Sequence, residues 1–155
     1  MITQLNSEHY GFIKDDPVRP HISHSWRLRY PREVYALYED KYAQYDEVLT
    51  EDPQAILCVA YCDRVPVCEK DLQHTGNSVA VFYTVWSYSK GAGRTIVNGA
   101  AEIIKHKHAP QRFVTLSPNT DMAERFHLSN GAEFLAKHED CQNFEYHLWN
   151  STVDI

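Results

Sequence analysis

The segment Lys90-Gly91-Ala92-Gly93-Arg94 has the composition of a phosphate-binding loop. A predicted strand leads into it and a predicted helix follows, so that unpaired backbone N–H groups and the positive end of a helix dipole point at one place. Glycine permits close approach of an anion, and the two flanking cations would add charge-assisted hydrogen bonds. The spacing is neither GxxxxGK[ST] nor GxGxxG. It therefore predicts a pyrophosphate site without identifying the ligand.

Length and composition indicate one globular domain over residues 1–155, with 43% hydrophobic and 23% charged residues. The net charge of −6 and the pI near 5.8 argue against a general nucleic-acid binder, which needs a basic face. No stretch approaches the roughly 20 apolar residues of a membrane span. The chain does not begin with a basic segment followed by an apolar one. We therefore expect a cytoplasmic protein that binds neither nucleic acid nor membrane.

The four cysteines do not have the spacing of a metal site. Cys58 and Cys62 are four residues apart in an apolar run, which lacks the CxxC knuckle of structural zinc sites. We expect buried free thiols and no bound metal.

Hydrophobic periodicity predicts the elements that must position the loop. Continuous apolar runs at Ile56–Cys62 and Val79–Trp86 indicate strands covered on both faces. Apolar residues recur with helical spacing from Ile96 to Ile104, and Pro110 ends that helix. The other predicted elements are strands at Met1–Leu5, Arg112–Leu116, Glu133–Lys137 and Phe144–Trp149, and a helix at Asn119–Ser129 with Met122, Ala123 and Phe126 inward. The order predicts an α/β domain with a mixed sheet.

Two segments before the loop are assigned by similar patterns. Val34, Leu37, Tyr38, Tyr42 and Tyr45 recur with helical spacing and predict a helix over Pro31–Tyr45. The five tyrosines between residues 30 and 45 either line a substrate channel or cover the sheet. Val65–Glu69 is predicted as a short hairpin partner of the preceding strand.

From about residue 54 to 150 the chain resembles the GNAT (GCN5-related N-acetyltransferase) family. That family has Q/R-x-x-G-x-G/A between its fourth strand and a long helix; here the segment is Tyr88-Ser-Lys-Gly91-Ala-Gly93, with Tyr88 in place of Gln or Arg. The family's later N-x-x-A-x-x-x-Y corresponds to the segment from Asn119 to Phe126 and His127. Residues 1–50 match only in layout. The resemblance implies a GNAT-like fold, a mixed central sheet flanked by helices.

The resemblance also implies a cofactor and roles for several residues. Acetyl-CoA or another acyl-CoA would place its pyrophosphate on Lys90, Gly91, Ala92, Gly93 and Arg94, and Asn119 would contact the cofactor arm. The acid that protonates the leaving thiolate falls at Phe126 or His127. Because Phe126 has no proton to donate, we expect His127 at the margin of its helix, with a pKa near 6.5. The general base would be Glu69 or Asp71 acting through water, unless both are solvated surface acids.

A second resemblance is to the catalytic domain of malonyl-CoA decarboxylases. Its runs correspond to Thr115-Leu-Ser117-Pro118 and Phe126-His127-Leu-Ser-Asn-Gly131-Ala132. In that family the Ser and His of these runs are catalytic, which implies roles for Ser117 and His127. Loss of CO₂ leaves an enolate that backbone N–H groups stabilise and an imidazolium protonates. Alternatively, Ser117 only begins the following helix and His127 is structural.

Three functions are therefore open. The first is transfer of an acyl group from acyl-CoA to an amine on a small molecule or protein. The second is a malonyl-CoA-decarboxylase-like lyase. The third is a non-catalytic GNAT-like module of the kind some bacteriophages encode. The sequence identifies neither the acceptor, nor the acyl group, nor the oligomeric state.

Overall fold

A mixed sheet of eight strands forms the centre of the structure, a computed structural model that describes residues 1–6, 13–39 and 52–148. The strands are β1 Ile2–Gln4, β2 Arg32–Leu37, β3 Ala55–Cys62, β4 Val79–Ser87, β5 Arg112–Thr115, β6 Ser117–Pro118, β7 Glu133–Lys137 and β8 Cys141–Tyr146. The helices are α1 His24–Leu28, α2 Ala92–Lys107 and α3 Asp121–Ser129, with short 3₁₀ turns at Ile13–Asp15 and Glu69–Gln73. None of the helices in these ranges is long and apolar enough to cross a membrane.

The strand order is β1-β2-β3-β4-β5-β8-β6, and β7 also pairs with β8. Every pairing is antiparallel except that of β4 with β5, which are parallel and connected through α2. β5 and β6 follow one edge of β8, and β7 follows the other. The predicted α/β class with a mixed sheet is confirmed.

Separate apolar clusters cover the two faces of the sheet. On one face α2 packs its apolar stripe on strand side chains such as Leu57, Val59 and Phe82. On the other face Ile56, Cys58 and Val81 belong to a cluster against which residues of α1 pack. Burial on both faces explains the continuous apolar runs of β3 and β4, each such side chain contributing about 1.5–3 kcal/mol. Cys58 and Cys62 are buried free thiols, as predicted.

The predicted helix Pro31–Tyr45 is wrong over its described part, which contains strand β2. Tyr42 and Tyr45 lie outside the described residues. β2 is antiparallel to both β1 and β3, so its backbone groups are paired on both edges. Tyr35 and Tyr38 are buried in the clusters on opposite faces of the sheet, so they belong to the core rather than to a channel.

β2 carries a buried carboxylate that no local pattern would place inside a sheet. Glu33 is 5% exposed, and its oxygens accept hydrogen bonds from four side chains, namely Tyr35, Tyr61, Lys107 and His108. Burial alone would raise the pKa of Glu33, but these hydrogen bonds outweigh it and lower that pKa. A buried charge near the start of the strand is tolerated because its partners come from β2, β3 and the end of α2.

Two smaller predictions are also wrong. Residues 65–68 form no strand and lead into the 3₁₀ turn Glu69–Gln73, because their carbonyls bond to β8 side chains instead: Pro66 accepts from Asn143 at 3.0 Å and Val67 from Cys141. Met122 does not point inward but is 73% exposed. It lies in the first turn of α3, beyond the edge of the sheet core.

β7 is an outer strand with an irregular register. Phe134 pairs with Phe144 and Ala136 with Asn143, so Leu135 is an extra residue and forms a bulge. Its second edge pairs with no strand in the described ranges. Phe134 is 51% exposed there, between the exposed charges of Glu133 and Lys137.

Candidate functional site

The glycine loop forms the N-terminus of α2. Gly91 is the N-cap residue, and its φ of 81° lies in the left-handed region that favours glycine. The N–H groups of Gly93 and Arg94 belong to the first helical turn, which has no preceding turn to accept them. Lys90 and Arg94 are both exposed. The predicted order of strand, loop and helix is confirmed, whereas the ligand stays a prediction.

Glycine is required at positions 91 and 93 of the loop for different structural reasons. No atom lies within 4 Å of a Cβ placed on Gly91. A Cβ on Gly93 would lie 3.2 and 3.3 Å from ring carbons of Phe126. Glycine at 93 therefore lets α3 pack against the start of α2, and glycine at 91 permits the left-handed backbone, while ligand access at both positions stays a prediction.

β4 and β5 separate beside this loop. The ladder between them ends at Phe82, whose C=O accepts the N–H of Leu116 at 3.0 Å. β4 continues to Ser87. The segment that follows β5 instead enters β6, which pairs with β8. We call the opening between residues 83–87 and β6 the wedge. No backbone hydrogen bond between described residues crosses it.

A bulge in β4 marks the closed end of the wedge. Phe82 pairs with Val59 and Thr84 with Cys58, so Tyr83 has no partner on β3. The Tyr83 C=O instead accepts a hydrogen bond from the Arg19 guanidinium. The bulge thus turns the main chain toward a side chain from the N-terminal part of the protein.

The predicted base Glu69 contacts Arg19, the side chain that binds the Tyr83 bulge. Its carboxylate lies 3.1 Å from Arg19 Nε and 2.7 Å from His21 Nε2. Asp71, the other predicted base, accepts the N–H of Val67 at 2.9 Å. Only Glu69 is therefore connected to the wedge, through Arg19.

Residues 15–19, here called the strap, are held over the bulge by a buried carboxylate. Asp16 accepts the N–H groups of Val18 and Arg19, the hydroxyl of Thr84 at 3.0 Å and Arg27 Nη1 at 2.7 Å. Asp16 is 3% exposed and Arg27 0%. Burial alone would raise the pKa of Asp16, but the two N–H groups and the guanidinium lower it.

His127 lies on the α2 face of the sheet, in an aromatic cluster. It is 5% exposed, stacks on Phe144 with ring centroids 5.2 Å apart, and places Nδ1 2.7 Å from the hydroxyl of Tyr146. Asn130 donates to the same hydroxyl at 3.3 Å. The expected marginal position of His127 is wrong; Phe126, half-buried against the loop, occupies it.

The expected pKa of His127 is also wrong. Burial lowers the pKa of His127 to about 4, because the charged imidazolium is poorly solvated in the aromatic cluster. Burial raises the pKa of Tyr146 to about 12 for the same reason. At neutral pH both side chains are uncharged, so any proton donated by His127 comes from a neutral imidazole.

Ser117 and Asn119 both have structural partners. Ser117 is buried and donates to the hydroxyl of Thr115 at 2.8 Å, and no hydrogen bond between described residues joins it to His127. Thr120, rather than Ser117, is the N-cap residue of α3. The Asn119 amide nitrogen donates to two carbonyls of the β7–β8 turn, which leaves Oδ1 for a ligand. The proposed roles of both residues stay predictions.

Sequence reasoning missed the bulge at Tyr83, the strap and Tyr146. Tyr146 lies within a predicted strand, but a strand pattern does not reveal which side chain its hydroxyl meets. Asp16 and Arg27 are 11 residues apart, and no local pattern marks them as a buried pair.

Comparison with known proteins places this arrangement in a structural class. No family model and no curated protein matches the chain. Malonyl-CoA decarboxylase from Agrobacterium vitis matches with a TM-score of 0.59 and 21% identity, over 81% of this chain and 35% of the other. The chain thus spans about a third of the length of that decarboxylase.

Acetyltransferase structures match over nearly their whole length. A Bacillus subtilis acetyltransferase in complex with CoA has a TM-score of 0.56 and 12% identity, covering 93% of each chain. The Campylobacter jejuni N-acetyltransferase PseH has a TM-score of 0.55 and 10% identity, over 96% of this chain and 99% of the other. Both predicted resemblances are confirmed as likenesses of fold. The chain has an α/β fold of the GNAT type, with a mixed central sheet.

Proposed function

We propose that the protein binds an acyl-CoA at the glycine loop and wedge and transfers its acyl group to an amine. The observation that carries the proposal is the alignment of the N-terminus of α2, the wedge and a buried imidazole. Phe126 lies beside Gly93, and the adjacent His127 bonds to Tyr146, whose ring lies 6.2 Å from that of Phe82 at the closed end of the wedge. A ligand with its anionic part on the loop and its reactive part in the wedge would thus extend from an anion-binding end to a proton-donating end.

The cofactor fits this cleft by ordinary strand chemistry. Its pyrophosphate would accept hydrogen bonds from the first turn of α2, helped by Lys90 and Arg94. Its pantetheine amides would pair with the β4 edge at residues 84–87, which meets no neighbouring strand across the wedge. The thioester would then lie at the Tyr83 bulge.

The acceptor amine would approach from the α1 face. A depression of about 340 Å³ there is lined by His21, Trp26 and Glu69, among other residues. The carboxylate of Glu69 orients His21, and a carboxylate–imidazole pair can take the proton that an attacking ammonium must lose. Glu69 also contacts Arg19, which binds the bulge.

Charge reversal at the loop tests the ligand. Lys90→Glu combined with Arg94→Glu should weaken CoA binding at least about tenfold, since charge-assisted hydrogen bonds contribute about 1.5–3 kcal/mol. Isothermal titration calorimetry with CoA measures this. The matched control Lys137→Glu reverses an exposed cation on β7 and should bind as the wild type does. Equal affinity in all three proteins would contradict the site.

Decarboxylation of malonyl-CoA is the second candidate function. Thr115 accepts both the Ser117 hydroxyl and the backbone N–H of Phe144, on whose ring His127 stacks, so Thr115 and Phe144 link the two predicted catalytic residues. No hydrogen bond between described residues joins Ser117 to His127, and for this reason we rank decarboxylation second.

Product analysis by mass spectrometry separates the functions. With acetyl-CoA and a panel of primary amines we expect acylated amine and free CoA. Formation of acetyl-CoA from malonyl-CoA without an amine would instead establish the lyase. CoA binding with neither reaction would favour the non-catalytic module.

A further inference from the structure

The hydrogen bonds around Tyr146 determine which nitrogen of His127 carries the hydrogen. Tyr146 accepts a hydrogen bond from Asn130 Nδ2, at 3.3 Å. The only acceptor that the described residues offer to its own hydroxyl hydrogen is His127 Nδ1, 2.7 Å away. Nδ1 therefore accepts, and in a neutral imidazole the hydrogen must then be on Nε2.

The hydrogen bonding of Asn130 continues to α2. Asn98 Nδ2 donates to Asn130 Oδ1 at 3.2 Å, so the amide nitrogen of Asn130 faces Tyr146. Asn130 is 8% exposed and follows directly on the end of α3. A chain of hydrogen bonds thus runs from the surface of α2 to the imidazole.

The pair lies at the closed end of the wedge. The Tyr146 ring is 6.2 Å from that of Phe82, whose C=O makes the last bond to the β5 side. The His127 ring is 5.0 Å from that of Phe126, which abuts the loop at Gly93. No described residue bonds to Nε2, so this is the nitrogen that a ligand in the wedge would have to meet.

We propose that Tyr146, oriented by Asn130, is the positioning residue that makes neutral His127 a hydrogen donor to the thioester sulfur. This inference rests on the acyl transfer proposed above. When the C–N bond forms and the C–S bond breaks, the thiolate takes the hydrogen of Nε2 and Nδ1 takes the phenolic hydrogen. The proton lost by the amine returns through solvent to Nε2, while Nδ1 gives its hydrogen back to the Tyr146 phenolate, which restores the starting tautomer. The phenol absent from position 126 is thus supplied by β8.

The tautomer can be measured without any substrate. In ¹⁵N-labelled protein at neutral pH, long-range ¹H–¹⁵N spectra should show His127 protonated at Nε2 and bare at Nδ1, with its signals identified by their loss in His127→Asn. In Tyr146→Phe the Nδ1 nitrogen loses its partner, and its signal should shift as the second tautomer becomes populated. A wild-type imidazole protonated at Nδ1 would overturn the arrangement.

Kinetics test the role. Tyr146→Phe should lower kcat at least about tenfold and leave KM for the acyl-CoA nearly unchanged, because the tautomer matters when the thiolate leaves. The matched control is Tyr61→Phe, which removes a buried hydroxyl bonded to Glu33, in the cluster at the C-terminal end of α2. Equal kcat in the two variants would overturn the role even if the tautomer is as proposed. Absence of acyl transfer in the wild type would refute the proposed function, and the NMR result would still decide the geometry.

Discussion

Replacing Asp16 with asparagine is expected to lower the free energy of unfolding at pH 7 by about 3–5 kcal/mol, the usual effect of breaking a buried ion pair. The guanidinium of Arg27 is 0% exposed and would keep its charge without a counterion. The oxygen that accepts from Arg27 Nη1 would become an amide NH₂, a donor facing a donor, while Oδ1 could still accept from Thr84. Urea denaturation followed by circular dichroism measures the change.

Asp63→Asn is the matched control, since its ion pair with Arg64 is solvent-exposed and should contribute little. The effect at position 16 should also depend on pH. Because the folded-state pKa of Asp16 lies below its ordinary value of 3.8, the stabilisation is complete above that pH and is lost as pH falls through the folded-state pKa. The curves of unfolding free energy against pH for the wild type and for Asp16→Asn should therefore converge in acid. Equal stability of Asp16→Asn and Asp63→Asn at pH 7 would refute the role assigned to Asp16 in holding the strap.

Replacing His127 with asparagine is expected to reduce turnover per folded molecule about 10²-fold or more, the usual worth of general acid catalysis. Asparagine Oδ1 can take the place of Nδ1 as acceptor for Tyr146, whereas nothing replaces the hydrogen on Nε2. CoA affinity, measured by calorimetry, should stay near the wild-type value. Unchanged turnover would assign His127 a structural role only.

The same variant has a separate signature in stability. The pKa of His127 rises from about 4 in the folded state to its ordinary 6.5 on unfolding. Below pH 6.5 the unfolded chain therefore binds a proton at His127 that the folded protein does not bind. The free energy of unfolding consequently decreases as the pH falls toward 4. His127→Asn should remove this part of the pH dependence, whether or not the imidazole is catalytic.

The fold could be predicted from local patterns where burial is simple. β3, β4 and α2 have uniform apolar runs or one apolar stripe, so their periods are unambiguous. The spacing of Val34, Leu37 and Tyr38 predicts a helix, but every residue of β2 is buried, so its apolar residues show no strand alternation. The partners Lys107 and His108 that Glu33 meets there are more than 70 residues away along the chain. Met122 was placed inward by its spacing from Phe126, although α3 covers the sheet only from its second turn.

The site could be predicted only where the chain itself brings its parts together. The glycine loop is contiguous, and both its position at the start of α2 and its two cations followed from the sequence. The bulge at Tyr83 depends on a register shift against β3, which leaves no mark in composition. The pKa of His127 depends on Phe144 and Tyr146, and sequence reasoning could assign only the ordinary value of a solvated imidazole.

The irregular register of β7 has a consequence for solubility. An outer strand with exposed Phe134 presents backbone donors and acceptors on which a neighbouring molecule can add its own strand and begin a fibril. The extra residue Leu135 interrupts the regular spacing of those groups, and the charges of Glu133 and Lys137 stand at both ends. Such bulges and charges are how natural sheets discourage aggregation at their edges. A chain lacking Leu135 would keep the apolar character of this edge but lose its main obstacle to cross-β stacking.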